Sequence, residues 1–252
     1  MKTQTLLAPL RRAINDYDMI NEGDKIAVGV SGGKDSLALL ALLNAYARFS
    51  PQRFSLLAIT IDMGFTPDAY SEISIWCKKN DIDYIVEKTN IAQILFEIRK
   101  EKNPCSLCSK LRRGALNSIA NKHNCNKLAL GHHSDDVMET FLLSMIYEGR
   151  LSTLAPKSFL SRSKISLIRP MIYVKEKDIK CYARDEHLPI LHNPCPADKH
   201  TQRQFMKELL SKIQEDIPFS KDRIFSAISN PDRYNLWNDT FKKFEADKNT
   251  DI

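Results

Sequence analysis

Apolar and polar positions alternate along the chain in two periods. Short apolar runs end abruptly in polar or glycine-bearing turns, and between them lie longer stretches whose apolar residues recur at helical spacing. Residues 3–19 place Leu6, Leu7, Leu10, Ile14 and Tyr17 on one face of an amphipathic helix. Residues 26–30 form a first buried strand, which enters the turn Ser31-Gly32-Gly33-Lys34-Asp35-Ser36 and then an apolar helix pattern from Leu37 to Leu43. Residues 54–61 predict a second strand ending at Asp62. Thr66-Pro67 then predicts a helix start, with a capping residue followed by a proline. A third short strand is expected at 84–86, a helical stretch from Ile91, and a fourth strand at 127–130 ending at Gly131. Strands alternating with helices imply an α/β fold with a doubly wound, mostly parallel sheet. Ligands of such sheets bind beyond the carboxyl ends of the strands. Ser31, Asp62 and Gly131 all fall there, so one shared crevice is expected.

Beyond Glu148 the pattern changes. Residues 149–163 read as loop, 165–174 as a strand containing Arg169-Pro170, 175–187 and 202–214 as helices, followed by shorter helical pieces to Phe244. The expected organisation is an N-terminal helix (1–20), the sheet domain (21–190), a helical C-terminal appendage (191–245) and a disordered tail (246–252).

Composition adds exclusions. The chain has 252 residues, 43% hydrophobic and 27% charged, which are ordinary globular values. No apolar run approaches the ~20 residues of a membrane span, and the N-terminus lacks a signal peptide's apolar region and cleavage site. No membrane role and a cytoplasmic location are expected. The net charge of +6 suits a polyanionic partner, although a solvated surface explains it nearly as well. Six cysteines in a chain of this length do not suggest a secreted disulfide scaffold.

The turn 31–36 carries the first chemistry. Adjacent glycines let the backbone bend sharply, and N–H groups at a helix start cradle anionic oxygens. Lys34 adds a positive charge, and Ser31 and Ser36 add hydroxyl donors. A Walker loop needs four residues between its first glycine and Gly-Lys, followed by Ser or Thr. Here only three separate Gly29 from Gly33, and Asp35 follows the lysine. The Walker reading fails, and the turn instead resembles the PP-loop of ATP pyrophosphatases, which cleave ATP between its α- and β-phosphates.

Two further motifs follow. In Gly131-His132-His133-Ser134-Asp135-Asp136 the glycine admits a ligand, and the carboxylates can hold Mg²⁺ or orient a substrate, unless Asp135 merely caps a helix. Cys105 and Cys108, three apart at a helix start, can bind one metal. Such a pair alone reads equally as a redox pair, half a zinc site, part of an iron–sulfur site or chance. The adjacent Lys110, Arg112 and Arg113 suit an anionic partner such as tRNA or ATP, or form a solvated helix face. Arg11 and Arg12 lie off the apolar stripe of the first helix and read either as a solvated helix face or as further candidates for nucleic-acid contact. Cys195 supplies a third thiol. With His192 it completes a closed zinc site, and without it the three cysteines leave one coordination position open. Cys77 and Cys181 fall in helical patterns and read as core residues, and Cys125 as a weaker candidate ligand.

Taken in order, SGGKDS, CSLCSKLRRG, GHHSDDVMETFLLSMIYEGRL, IRPMIYVKEKDI and a Pro-Cys followed by QRQFMKELL resemble the TtcA-type tRNA 2-thiocytidine synthetases over roughly residues 20–212. That resemblance implies a PP-loop ATPase fold of the adenine nucleotide α-hydrolase type. It places ATP on Ser31, Gly32, Gly33, Lys34, Asp35, Ser36, Asp62, Gly131 and His132, with Mg²⁺. It assigns catalytic roles to Lys34, Arg112, Asp135 and Asp136, and a [4Fe–4S] cluster to Cys105, Cys108 and Cys195. It further implies a tRNA substrate, a sulfur donor such as a cysteine desulfurase system, and, often in the family, a homodimer. The implied reaction adenylates C2 of a cytidine and replaces its oxygen with sulfur. Family members often carry a second CxxC at the late cysteine, whereas this chain reads Cys195-Pro196-Ala197-Asp198. The rival readings are a PP-loop ligase with another nucleophile, as in tRNA lysidine synthetase, and a non-enzymatic zinc- or cluster-bearing RNA-binding protein.

Overall fold

The computed structural model describes residues 3–65, 69–99, 104–192, 195, 202–233 and 236. Among them are the strands β1 Asp24–Gly29, β2 Phe54–Asp62, β3 Asp83–Lys88, β4 Lys127–Ala129, β5 Lys157–Leu160 and β6 Ile165–Ile168. They form one six-stranded sheet in the order β3-β2-β1-β4-β6-β5. The central pairs are parallel, with Val28 opposite both Ala58 and Ala129, and only the edge strand β5 runs antiparallel. Successive β1 residues serve opposite faces: Ile26 and Val28 enter one core cluster, and Ala27 the other. A parallel sheet covered on both faces demands such continuous apolar runs.

The helices are α1 Thr3–Asp16, α2 Lys34–Ala47, α3 Ser71–Lys79, α4 Ile91–Gln93 (continuing into a π-helical turn, Ile94–Ile98), α5 Pro104–Lys122, α6 Ser134–Glu148, α7 Glu176–Asp185, α8 Gln202–Asp216 and α9 Ser220–Ser229. The first face is covered by α1, α2, α3 and α7, with Leu37, Leu39, Leu40, Leu42 and Leu43 of α2 completely buried. Leu116, Ile119 and Ala120 of α5 cover the second face. Through Met206 and Leu210, α8 packs on Met138 and Leu142 of α6, and Ile224 and Phe225 of α9 join the same cluster. Among the described residues no helix is long and apolar enough to cross a membrane.

Several expectations change. The stretch 149–163 contains β5, a polar edge strand whose alternating burial leaves Phe159 exposed, so its apolar signal is weak. The strand expected over 165–174 stops at Ile168. Arg169 turns inward to donate to the His132 ring and the Ala155 carbonyl, and Pro170 has no N–H for a ladder. Met171, Ile172 and Val174 are nevertheless buried, which explains the strand-like pattern. The start at Thr66-Pro67 and the tail 246–252 lie outside the described residues, and the helix between β2 and β3 begins at Ser71.

Candidate active site

The turn between β1 and α2 is braced from within. Ser36 donates its hydroxyl to the Gly33 carbonyl at 2.9 Å and accepts from the Ser31 amide at 3.1 Å, and the two serine hydroxyls lie 3.2 Å apart. Gly32 sits at φ +84, and a Cβ there would meet Leu191 at 3.0 Å. Its carbonyl accepts the Leu191 amide at 2.9 Å, which ties the segment leading to Cys195 onto the loop. Gly131 supports the loop from below: a Cβ there would stand 2.8 Å from the Asp35 carbonyl oxygen. It therefore acts by close packing beneath the turn, and the crevice itself is lined by others.

That crevice is a cavity of about 510 Å³ lined by Ser31, Gly33, Asp62, Met63, Arg112 and His192, among others. Asp62 shapes its rim by accepting the Gly64 amide at 2.9 Å. Beside it, the Cys108 thiol donates to the Met63 sulfur at 3.7 Å. Burial pushes the Cys108 thiol up, the Arg112 guanidinium pulls it down, and the charges of Cys195 and Cys105 push it up again. Of the three cysteines, Cys108 thus touches a residue of the cavity wall, and Cys105 and Cys195 act on it through charge; none forms a disulfide. Among the described residues no group of three or more His, Cys, Asp and Glu side chains is arranged to hold a metal ion. The soft thiol set itself suits iron.

Lys34 points away from the cavity lining. Its ammonium pairs with Asp35 at 2.8 Å and with Glu176 at 3.1 Å. Burial favours the neutral amine, but the two carboxylates outweigh it and hold the lysine charged. Glu176 also receives Lys207 at 2.6 Å and Lys180 at 3.4 Å. Burial opposes its charge, yet Lys207 and Lys34 hold the carboxyl down at about 2.

Both carboxylates of the second motif are engaged structurally. Asp135 accepts the Glu176 amide at 2.8 Å and pairs with Lys221 at 3.2 Å. Burial raises its pKa, and these partners more than offset that. Asp136 closes a capping box with His133 and lies 3.6 Å from Arg203. His132 is not among the residues lining the crevice and accepts Arg169 Nε at 3.1 Å. Burial and the Arg169 charge hold its pKa down at about 4 despite Asp136, so the ring is neutral near pH 7. Of the basic candidates, Arg12 stacks over Tyr173 at 4.4 Å and lines a different cavity, with Glu176, while Arg112 lines the crevice beside Ser31 and Gly33.

Sequence reasoning missed Glu176, Lys207, Lys221 and Arg169. A carboxylate in Val-Lys-Glu-Lys-Asp at a helix start reads as solvated charge. Its value here comes from α2 and α8 converging on it, and no local signal announces that.

A family model described as a PP-loop domain matches residues 3–213. The tRNA-cytidine(32) 2-sulfurtransferase of Syntrophotalea carbinolica is 39% identical over 236 residues, covering 92% of this chain and 91% of that protein. The enzyme of the same description from Geobacter metallireducens is 40% identical over 222 residues, covering 87% and 86%. Among solved structures, the U34-tRNA thiolase NcsA from Methanococcus maripaludis with its [4Fe–4S] cluster superposes with a TM-score of 0.74 at 26% identity, over 90% of this chain and 77% of that one. An NH3-dependent NAD synthetase from Campylobacter jejuni shares the fold alone, at a TM-score of 0.50 and 12% identity over 91% of this chain and 93% of that one.

Proposed function

The chain belongs to the PP-loop domain family and, within it, to the tRNA-cytidine 2-sulfurtransferases, and on that premise we propose how its residues carry ATP-dependent tRNA thiolation. The observation that carries the assignment is one cavity shared by Ser31 and Gly33 of the phosphate loop, Asp62 and Arg112, with Cys108 bonded to its wall. ATP lies along this cavity with its phosphates on the amides of residues 31–36. Lys34 leaves Asp35 and Glu176 to meet the β- and γ-phosphates, and Mg²⁺ accompanies them. Asp135 and Asp136 already have partners, so they position helix starts and the Glu176 backbone. The C2 oxygen of the cytidine, at position 32 as in the relatives' names, attacks the α-phosphorus and pyrophosphate leaves. Sulfide then adds at C2, the C–O bond breaks, and AMP departs with the oxygen. Arg112, at the junction of cavity and thiols, offsets the negative charge that builds on the phosphoryl group.

Cys105, Cys108 and Cys195 would hold a [4Fe–4S] cluster whose fourth iron, lacking a protein ligand, supplies a place for sulfide. A cysteine desulfurase system is the expected donor, the cytoplasm the expected location and a homodimer the expected assembly. His192 lines the nucleotide cavity, which disfavours the closed zinc alternative.

The test is anaerobic turnover with ATP, tRNA and sulfide. AMP, pyrophosphate and 2-thiocytidine in the digested tRNA are expected. Cys195→Ser should lose iron and thiolation while keeping ATP binding, because Leu191 already ties that segment to the loop. ADP with orthophosphate would overturn the assignment, as would stoichiometric zinc that disappears in His192→Ala.

A further inference from the structure

A second cavity, of about 620 Å³, opens between α1, α6, α7, α8 and α9, and Glu176, the partner of Lys34, lies in its wall. Its cations are Arg12, Lys175, Lys177, Lys180, Lys207 and Lys221, set against the three carboxylates Asp135, Glu176 and Asp222. Ion pairs neutralise part of this charge: Lys175 holds Asp222 at 2.5 Å and Lys221 holds Asp135 at 3.2 Å. A cationic surplus remains, and among the described residues Lys177 is exposed with no ion-pair partner.

The same cavity carries aromatic rings. Tyr173 and Phe225 pack edge to face at 6.0 Å, and Arg12 covers Tyr173. Phe219 stands at the mouth, 66% exposed, and holds the left-handed conformation at φ +66. An exposed ring in a backbone state that only glycine adopts freely is maintained at a cost in stability. Lysines that meet a phosphate backbone, interleaved with rings that accept unstacked bases, are the recognition chemistry of single-stranded RNA.

We infer that this cavity docks an unpaired, single-stranded stretch of the tRNA, with backbone phosphates on Lys177 and its neighbouring lysines and a base stacked on Phe219. The inference rests on the tRNA-thiolase reading. It adds a location: the RNA would lie one side chain from the ATP lysine, since Glu176 touches Lys34 on one side and Lys207 on the other.

The experiment measures binding of the full-length protein to tRNA and to a fully paired RNA duplex across a salt series. Phe219→Gly removes the ring and suits the left-handed backbone, so the fold is spared. It should weaken tRNA binding roughly tenfold and leave the duplex unaffected. Lys177→Ala should lower the salt slope for tRNA by about one. ATP affinity and thermal midpoint should stay at wild-type values in both. Wild-type tRNA affinity and slope in both variants would overturn the inference and leave the thiolase reading intact. Slowed pyrophosphate release with unchanged tRNA binding would also overturn it, by assigning the cavity to the leaving group. A wild-type protein that binds no tRNA would remove the thiolase reading itself.

Discussion

His132 accepts a hydrogen bond at Nδ1 from a buried guanidinium, so protonation there would break that bond and add a cation beside Arg169. Its pKa is lowered from the ordinary 6.5 to about 4. The unfolded chain therefore takes up a proton in this interval that the folded chain refuses. Folding stability is full above pH 6.5 and should fall by on the order of 1 kcal/mol per pH unit between 6.5 and 4. Urea unfolding at a series of pH values measures the slope, and His132→Asn should flatten it. Glu176 titrates in the same sense at lower pH: its depressed carboxyl contributes stability that is full above the usual glutamate value of 4.5 and is lost as pH falls toward about 2. At neutral pH both groups sit in the state the fold prefers.

The elements around the phosphate loop are set by contacts closer than side chains allow. β4 ends at Ala129, and Gly131 then passes directly under the first turn of α2, with Asp35 and Ser36 backbone atoms within 3.0 Å of where a Cβ would be. Gly131→Ala has no flexible neighbour to displace, so the helix start itself must shift. Pyrophosphate release should drop ~10²-fold, in line with the cost of small misplacements of catalytic groups, while far-ultraviolet circular dichroism stays unchanged. That a glycine at this strand end allows a close approach was legible from its place before His-His-Ser-Asp-Asp, although a ligand was the expected partner and the structure shows backbone. Which backbone it approaches was not legible. The cap at this helix start was only half legible: Asp135 is expected as either cap or ligand, whereas His133 and Asp136 form the capping box and Asp135 accepts the Glu176 amide instead.

Across the molecule, the end of the sheet opposite the site is locked by a buried ion pair. Asp24 on β1 and Lys127 on β4 meet at 2.8 Å with side chains 4% and 5% exposed, and Lys127 also donates to the Met19 carbonyl at 2.7 Å. Asp24 further accepts from the Asn21 amide and the Asn126 side chain, so its lone pairs are well used. Lys127→Ala strands a buried carboxylate and should cost about 3–5 kcal/mol in denaturant unfolding, with ATP affinity in the remaining folded protein unchanged. Neither residue stood out in the sequence, since Asp and Lys flanking apolar runs read as solvated strand ends. What the sequence determined by itself was the alternation of strand and helix, the phosphate turn and the order of the cysteine motifs. Those signals are local, because apolar period, paired glycines and thiol spacing act within one element. Only the tertiary structure decided that Lys34 rests on Glu176, that Leu191 ties the late cysteine's segment to Gly32, and that the lysines of α7, α8 and α9 gather around one cavity. Such pairings join residues far apart in the chain, and their energies exist only once burial has removed the water between them.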